Sequence, residues 1–113
     1  MNAIQSDAIK VFGSLEAYEA YRKSAFEVDL EGSEKQIKWA EDIIRRYKDF
    51  NHDAKEPTYL VVIRNFIQHH KEAKFYIEKR ESLANLIWRE IQEFYEICDE
   101  DEEKEIELAK QYK

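Results

Sequence analysis

The side chains in this chain that could do chemistry are few, and their spacing does not favour it. His69 and His70 are neighbours, so on a helix they diverge by about 100° and cannot share a metal ion as an i, i+4 pair would. His52 stands in "NHD", between Asn51 and Asp53, where a solvated polar turn is the commoner meaning. The single cysteine, Cys98, falls on the apolar side of the segment around Phe94 and reads as a small core residue. The sequence contains no glycine-rich phosphate loop, no Cys/His set at zinc spacing and no serine in a nucleophile-elbow setting. Neither a catalytic residue, a cofactor nor a metal site is therefore expected, and an enzyme ranks behind binding functions.

Binding has more to work with. "DEDEE", comprising Asp99, Glu100, Asp101, Glu102 and Glu103, opens a final segment with seven acidic and three basic residues, in a chain of formal net charge −7. Such a run is most often a solvated surface, and otherwise a surface for a basic partner. Basic residues gather at Arg22-Lys23, at Arg45-Arg46-Lys48 and between Lys71 and Arg80, with Trp39, Tyr47, Phe75 and Tyr76 near them. Lys35, Arg45, Arg46, Lys74 and Arg80 would be the contacts if phosphates and stacked bases were the ligand. The charge balance opposes this, since even residues 1–98 carry 15 basic against 18 acidic side chains, which repels nucleic acid at long range.

The elements that must position these groups are helices. At 113 residues, with two glycines and one proline, the chain fits one domain with few breaks. A charged fraction of 38% beside 43% hydrophobic residues suits helices with one apolar face. The fold expected is all-α, a small irregular bundle of four to five helices. Ser6 to Phe12 forms at most a short turn of helix, and Ser14 caps the first clear helix, with Leu15, Tyr18, Arg22 and Ala25 at helical spacing. Ser33 starts the next, whose apolar face holds Ile37, Trp39, Ala40, Ile43, Ile44, Tyr47 and Phe50.

"TYLVVIRNFIQHH" is open to a buried strand. A helix is favoured, because Tyr59, Leu60, Ile63, Phe66, Ile67 and His70 share one side and Pro57 suits a first turn. A short helix around "EAKFYIEKR" and a long one from Leu83 to Cys98 follow, with Ser82 either separating the two or lying within one bent helix. The long one, with the broadest apolar arc, is expected at the centre. Residues 1–98 then form the domain, and residues 99–113 an acidic extension continuing the last helix. Trp39 and Trp88 are expected in the core. The longest apolar run, Tyr59 to Ile63, is far too short for a membrane span, and the N-terminus lacks the pattern of a targeting segment. An unpaired Cys98 points to a reducing cytoplasm.

Gln36 is the residue out of place, an amide within the apolar arc. It follows Ser33 by three positions, and Ser-x-x-Gln is a capping box in which hydroxyl and amide each satisfy the other residue's backbone N–H. "GSEKQIKWAEDI", with Gly32, Ser33, Lys35, Gln36, Trp39, Ala40 and Ile43, and "AKFYIEKR", Ala73 to Arg80, together resemble a recurrent pairing in small proteins of Gram-positive bacteria, their phages and mobile elements. The pairing is G-[ST]-x-K-Q-x-x-W-A-x-x-I followed by A-K-[FW]-[WY]-I-[DE]-x-R, and it spans roughly residues 30 to 90. One departure is Ile44, where the pattern has arginine, with Arg45 and Arg46 displaced by one position. The resemblance implies a mobile-element setting and contributes no catalytic residue.

Taken together, these readings predict a non-enzymatic protein that works by binding another protein, in its sharpest form an anti-CRISPR-like inhibitor of a host defence nuclease or other nucleic-acid-processing complex. Asp99, Glu100, Asp101, Glu102 and Glu103 would then stand in for phosphates. The alternative is a nucleic-acid-binding accessory or regulatory protein acting through the five basic residues named above. A toxin or antitoxin component is a third class. The sequence leaves the oligomeric state open.

Overall fold

Local capping signals decide where the helices begin. The computed structural model describes residues 2–50 and 57–113, and seven helices run through them: α1 (Ala3–Phe12), α2 (Leu15–Ser24), α3 (Glu34–Phe50), α4 (Pro57–His69), α5 (Ala73–Glu78), α6 (Leu83–Cys98) and α7 (Glu102–Tyr112). The bundle is all-α as expected, with more helices than the four to five anticipated. The expected short turn over Ser6–Phe12 is a full helix of ten residues. Its start is a capping box, in which the Gln5 N–H donates to Asn2 Oδ1 at 2.8 Å and the Asn2 N–H to Gln5 Oε1 at 3.2 Å. Ser14 caps α2 as expected, accepting from the Ala17 N–H at 3.0 Å. At α3 the Gln36 N–H donates to Ser33 Oγ at 3.2 Å and the Ser33 N–H to Gln36 Oε1 at 3.1 Å. Gln36 is therefore a satisfied cap.

Helix α4 forms the centre. Its buried residues include Leu60, Val61, Val62, Ile63, Phe66 and Ile67, which surround the helix instead of marking one stripe. A helix apolar on all sides needs neighbours on all sides, and α4 packs against α1, α6 and α7. The expectation that the Leu83–Cys98 helix would be central is thus corrected. That helix buries a single face of Leu83, Ile87, Ile91, Phe94 and Cys98. A smaller cluster of Ala8, Tyr18, Ala25 and Leu60 joins α1 and α2 to α4.

The acidic segment does not continue the preceding helix. Asp99 and Glu100 take left-handed backbone conformations, φ 48° and 59°, and Asp101 then caps a new helix, its Oδ1 accepting from the N–H groups of Glu103 and Lys104 at 2.9 and 3.2 Å. The break moves Glu102 and Glu103 from the unfavourable C-terminal end of α6 to the favourable N-terminal end of α7. Helix α7 folds back with Ala109 fully buried and Ile106, Leu108 and Tyr112 against the main core. Lys113 donates to the Val11 carbonyl at 2.7 Å, a cation at the end of α1 where the helix dipole favours one. Helix α7 thus packs one face on the core and is not an appendage, while residues 99–104 stay exposed. No helix among the described residues is long and apolar enough to cross a membrane.

Candidate binding face around Trp39 and Arg80

The two segments that carry the sequence resemblance pack against each other. The Glu31 N–H donates to the Lys71 carbonyl at 2.7 Å and the Ala73 N–H to the Glu31 carbonyl at 2.9 Å, a single parallel bridge that places α5 against α3. Gly32 follows with φ +145°, and a Cβ there would lie 2.9 Å from Gln36 Oε1 and 3.3 Å from the Ala73 Cβ. Glycine is thus required both by backbone conformation and by the closeness of cap and neighbour. Below it, Ala40, Ile43 and Ile44 share one core cluster with Ala73 and Tyr76. The Tyr76 hydroxyl donates to the Ile67 carbonyl at 3.3 Å, and burial pushes its pKa well above the ordinary value.

On the outer edge of this unit lies Trp39, which is 49% exposed and not in the core as expected. The reason is angular. Trp39 lies about 100° around the helix from Ala40, at the margin of the buried arc, and about 20° from Arg46. The Arg80 guanidinium sits 5.4 Å from the centre of the Trp39 ring and also donates to the Ile77 carbonyl at the end of α5. Trp39, Arg46, Tyr47, Arg80 and Glu81 rim a groove of about 330 Å³ whose floor is Ile43, Leu83 and Ala84. Trp88, expected in the core, is 51% exposed. It lies one helical turn beyond Ala84 and meets Tyr59 edge-on, with ring centres 6.4 Å apart.

The five basic residues do not form one track. Arg46 and Arg80 share the groove. Arg45 pairs with Asp42 at 2.9 Å and faces a different groove with Lys23, Phe26 and Lys48. Lys74 pairs with Glu78 at 3.6 Å, and Lys35 is exposed in the first turn of α3. The five acidic residues take structural parts: Asp99 and Glu100 form the turn, Asp101 the cap, and Glu102 and Glu103 the first turn of α7. With Glu105, Glu107, Asp7 and Lys10, Glu102 and Glu103 line a cleft of about 540 Å³. Glu105, not singled out in the sequence, accepts from the Tyr95 hydroxyl at 2.9 Å, and that hydroxyl lies 2.7 Å from Thr58 Oγ1. This chain of hydrogen bonds ties α4, α6 and α7 together, and no sequence spacing announces it.

His70 stacks on Phe75 with ring centres 4.1 Å apart and planes 10° apart. Desolvation lowers its pKa, the nearby Glu90 carboxylate opposing this. His69 is exposed, its Nδ1 donating to the Asn65 carbonyl at 2.6 Å. Cys98 is buried, and desolvation raises its thiol pKa, which suppresses thiolate chemistry. Among the described residues, no three His, Cys, Asp or Glu side chains are grouped to hold a metal ion. His52 lies outside the described residues. No family model, no curated protein and no solved structure matches the chain.

Proposed function

We propose that the protein acts by binding another protein, with the face around Trp39 and Arg80 as its contact surface. The observation that carries this reading is a tryptophan left half exposed beneath an arginine, beside a second arginine and an apolar floor. Tryptophan and arginine are the side chains that most often dominate binding energy at protein interfaces. Leaving about half of a large aromatic in water forgoes roughly 2–3 kcal/mol of burial that a partner can recover. The nucleic-acid alternative has less support. Asp42 and Glu78 pair with Arg45 and Lys74, so the basic surface is local, on a molecule of net charge −7.

The test is capture from a native lysate, with and without nuclease, by the wild type and by a Trp39→Ser/Arg80→Glu variant. A stoichiometric protein that survives nuclease and is lost from the variant is the expected result. Recovery of nucleic acid alone, abolished by nuclease, would overturn the reading.

A sharper form of the proposal makes the partner a defence nuclease or other nucleic-acid-processing complex, met by acids in place of phosphates. It is supported by the placement of Glu102, Glu103 and Glu107 on α7 beside Asp7, with Glu107 also paired to Lys110 at 3.6 Å, and by the resemblance to mobile-element proteins. Replacing Glu102, Glu103 and Glu107 by glutamine while keeping the Asp101 cap should weaken binding to the partner and flatten its salt dependence. Unchanged affinity would remove the phosphate-mimic mechanism.

A further inference from the structure

We infer that the Trp39 groove takes a short acidic segment of a partner protein, with carboxylates on Arg46 and Arg80 and an apolar side chain on the floor of Ile43, Leu83 and Ala84. This rests on the protein-binding reading above and names the chemistry of the partner. Charge is the first argument. Among the described residues only Arg22, Arg45, Lys74 and Lys110 form ion pairs, so Arg46 and Arg80 are unpaired like most of the basic side chains, and what sets them apart is that both line one groove. Glu81 is the one acid on the groove's rim. On a chain of net charge −7, two unneutralised guanidinium groups facing one groove with a single acid make a locally positive site, which favours an anionic occupant.

Geometry narrows the occupant. Arg80 is held from two directions, by the Trp39 ring and by the Ile77 carbonyl. Little side-chain entropy remains to be lost when its free edge receives a carboxylate in two parallel hydrogen bonds. A guanidinium held over an aromatic ring still offers a planar fork, which lysine would not supply. Size then decides between a segment and a surface. About 330 Å³ lies at the small end of ligand pockets, room for one or two side chains. The apolar floor adds what a bare phosphate track would not use, a place for an aliphatic or phenyl side chain between the carboxylates.

The probe is a fluorescently labelled, end-blocked peptide, Asp-Phe-Asp-Glu-Leu-Asp, followed by anisotropy against the full chain. Its control has serine in place of Phe and Leu, and a short oligothymidylate tests the nucleic-acid alternative. The peptide should bind the wild type, weaken by about tenfold or more with Arg80→Glu or Arg46→Glu, and weaken with rising salt. The serine peptide should bind about fivefold or more weakly if the floor is used. Arg80→Lys and Arg46→Lys keep the charge and lose the fork, so they should fall between wild type and reversal. Both arginines are exposed, and circular dichroism checks that each variant stays folded. Failure of the peptide to bind, equal binding by wild type and variants, or preferential binding of the oligothymidylate in the same groove would each overturn the inference. A captured partner that ignores the Arg46 and Arg80 variants also overturns it, while leaving protein binding to stand on another surface.

Discussion

The Trp39 ring lies 5.4 Å beneath the Arg80 guanidinium on the outside of the α3 and α5 unit, and this relation decides what removing the indole should do. A fully buried tryptophan replaced by alanine costs about 3–5 kcal/mol. At 49% exposure, Trp39→Ala should cost about 1–2 kcal/mol, since half the apolar area is already in water. Arg80→Ala should cost less, on the order of 0.5–1 kcal/mol for an exposed cation–π contact. Urea denaturation of the two variants measures both. A Trp39→Ala loss near the fully buried figure would return the ring to the core and remove it as a contact residue.

Gly32 and Gln36 make a second pair with a measurable coupling. Gly32→Ala should destabilise by about 1–3 kcal/mol, because its φ of +145° strains any side chain and its Cβ would meet Gln36 Oε1 at 2.9 Å. Gln36→Ala should cost about 1 kcal/mol through the lost capping bond. In the double variant the collision with the amide is gone, so the combined loss should fall short of the sum by about 0.5 kcal/mol or more. Strict additivity would mean that the two side chains do not meet.

Alkaline stability should be lost through the tyrosines. Burial pushes Tyr21 and Tyr47 up to about 12 and raises Tyr76 and Tyr95 as well, from an ordinary value of 10.0. Above pH 10 the unfolded chain loses phenolic protons that the folded chain keeps, so the contribution is full below pH 10 and falls as pH rises beyond it. On the acid side, His70 carries a lowered pKa against its ordinary 6.5. The unfolded chain therefore takes up that proton first, and a smaller loss sets in as pH falls below 6.5. Urea midpoints across pH 5 to 12, with phenolate absorbance followed in parallel, should show a plateau bounded on the alkaline side by coincident ionisation and unfolding. Phenolate absorbance rising well before unfolding would show that these tyrosines are not shielded.

What was legible in the sequence was local. Ser14, Ser33 with Gln36, and Pro57 mark helix starts by chemistry that acts within one turn, and all three stand at the starts expected. Asn2 with Gln5 spells the same box at the start of α1. What was not legible depends on neighbours. Trp39 lies about 100° from Ala40, and Trp88 about 100° from Ile87; such marginal positions are covered only if another helix reaches over them. The centrality of α4 is written in its all-round apolar pattern, Leu60 to Ile63, which the one-sided spacing of Tyr59, Ile63, Phe66 and His70 overlies. The groove itself joins residues of α3 to the turn after α5 and the start of α6, and no spacing along the chain reports that meeting.

The turn between α6 and α7 was hidden because it uses no glycine. Asp99 and Glu100 both hold left-handed conformations, φ 48° and 59°, which cost a non-glycine residue about 1–2 kcal/mol, somewhat less for aspartate. Glu100→Gly removes that strain, and the added freedom of the unfolded chain returns part of the gain. A net stabilisation of up to about 1 kcal/mol is expected. Glu100→Val should destabilise by at least about 1 kcal/mol, since a β-branched side chain tolerates this conformation poorly. The same pair of variants discriminates against a continuous helix through residues 99–101. Within such a helix glycine would cost about 1 kcal/mol and valine about half that. Thermal melts that rank glycine above glutamate above valine therefore support the turn. The order glutamate above valine above glycine would mean that α6 and α7 are one helix, and that the acidic residues lie along its middle instead of at the start of a second.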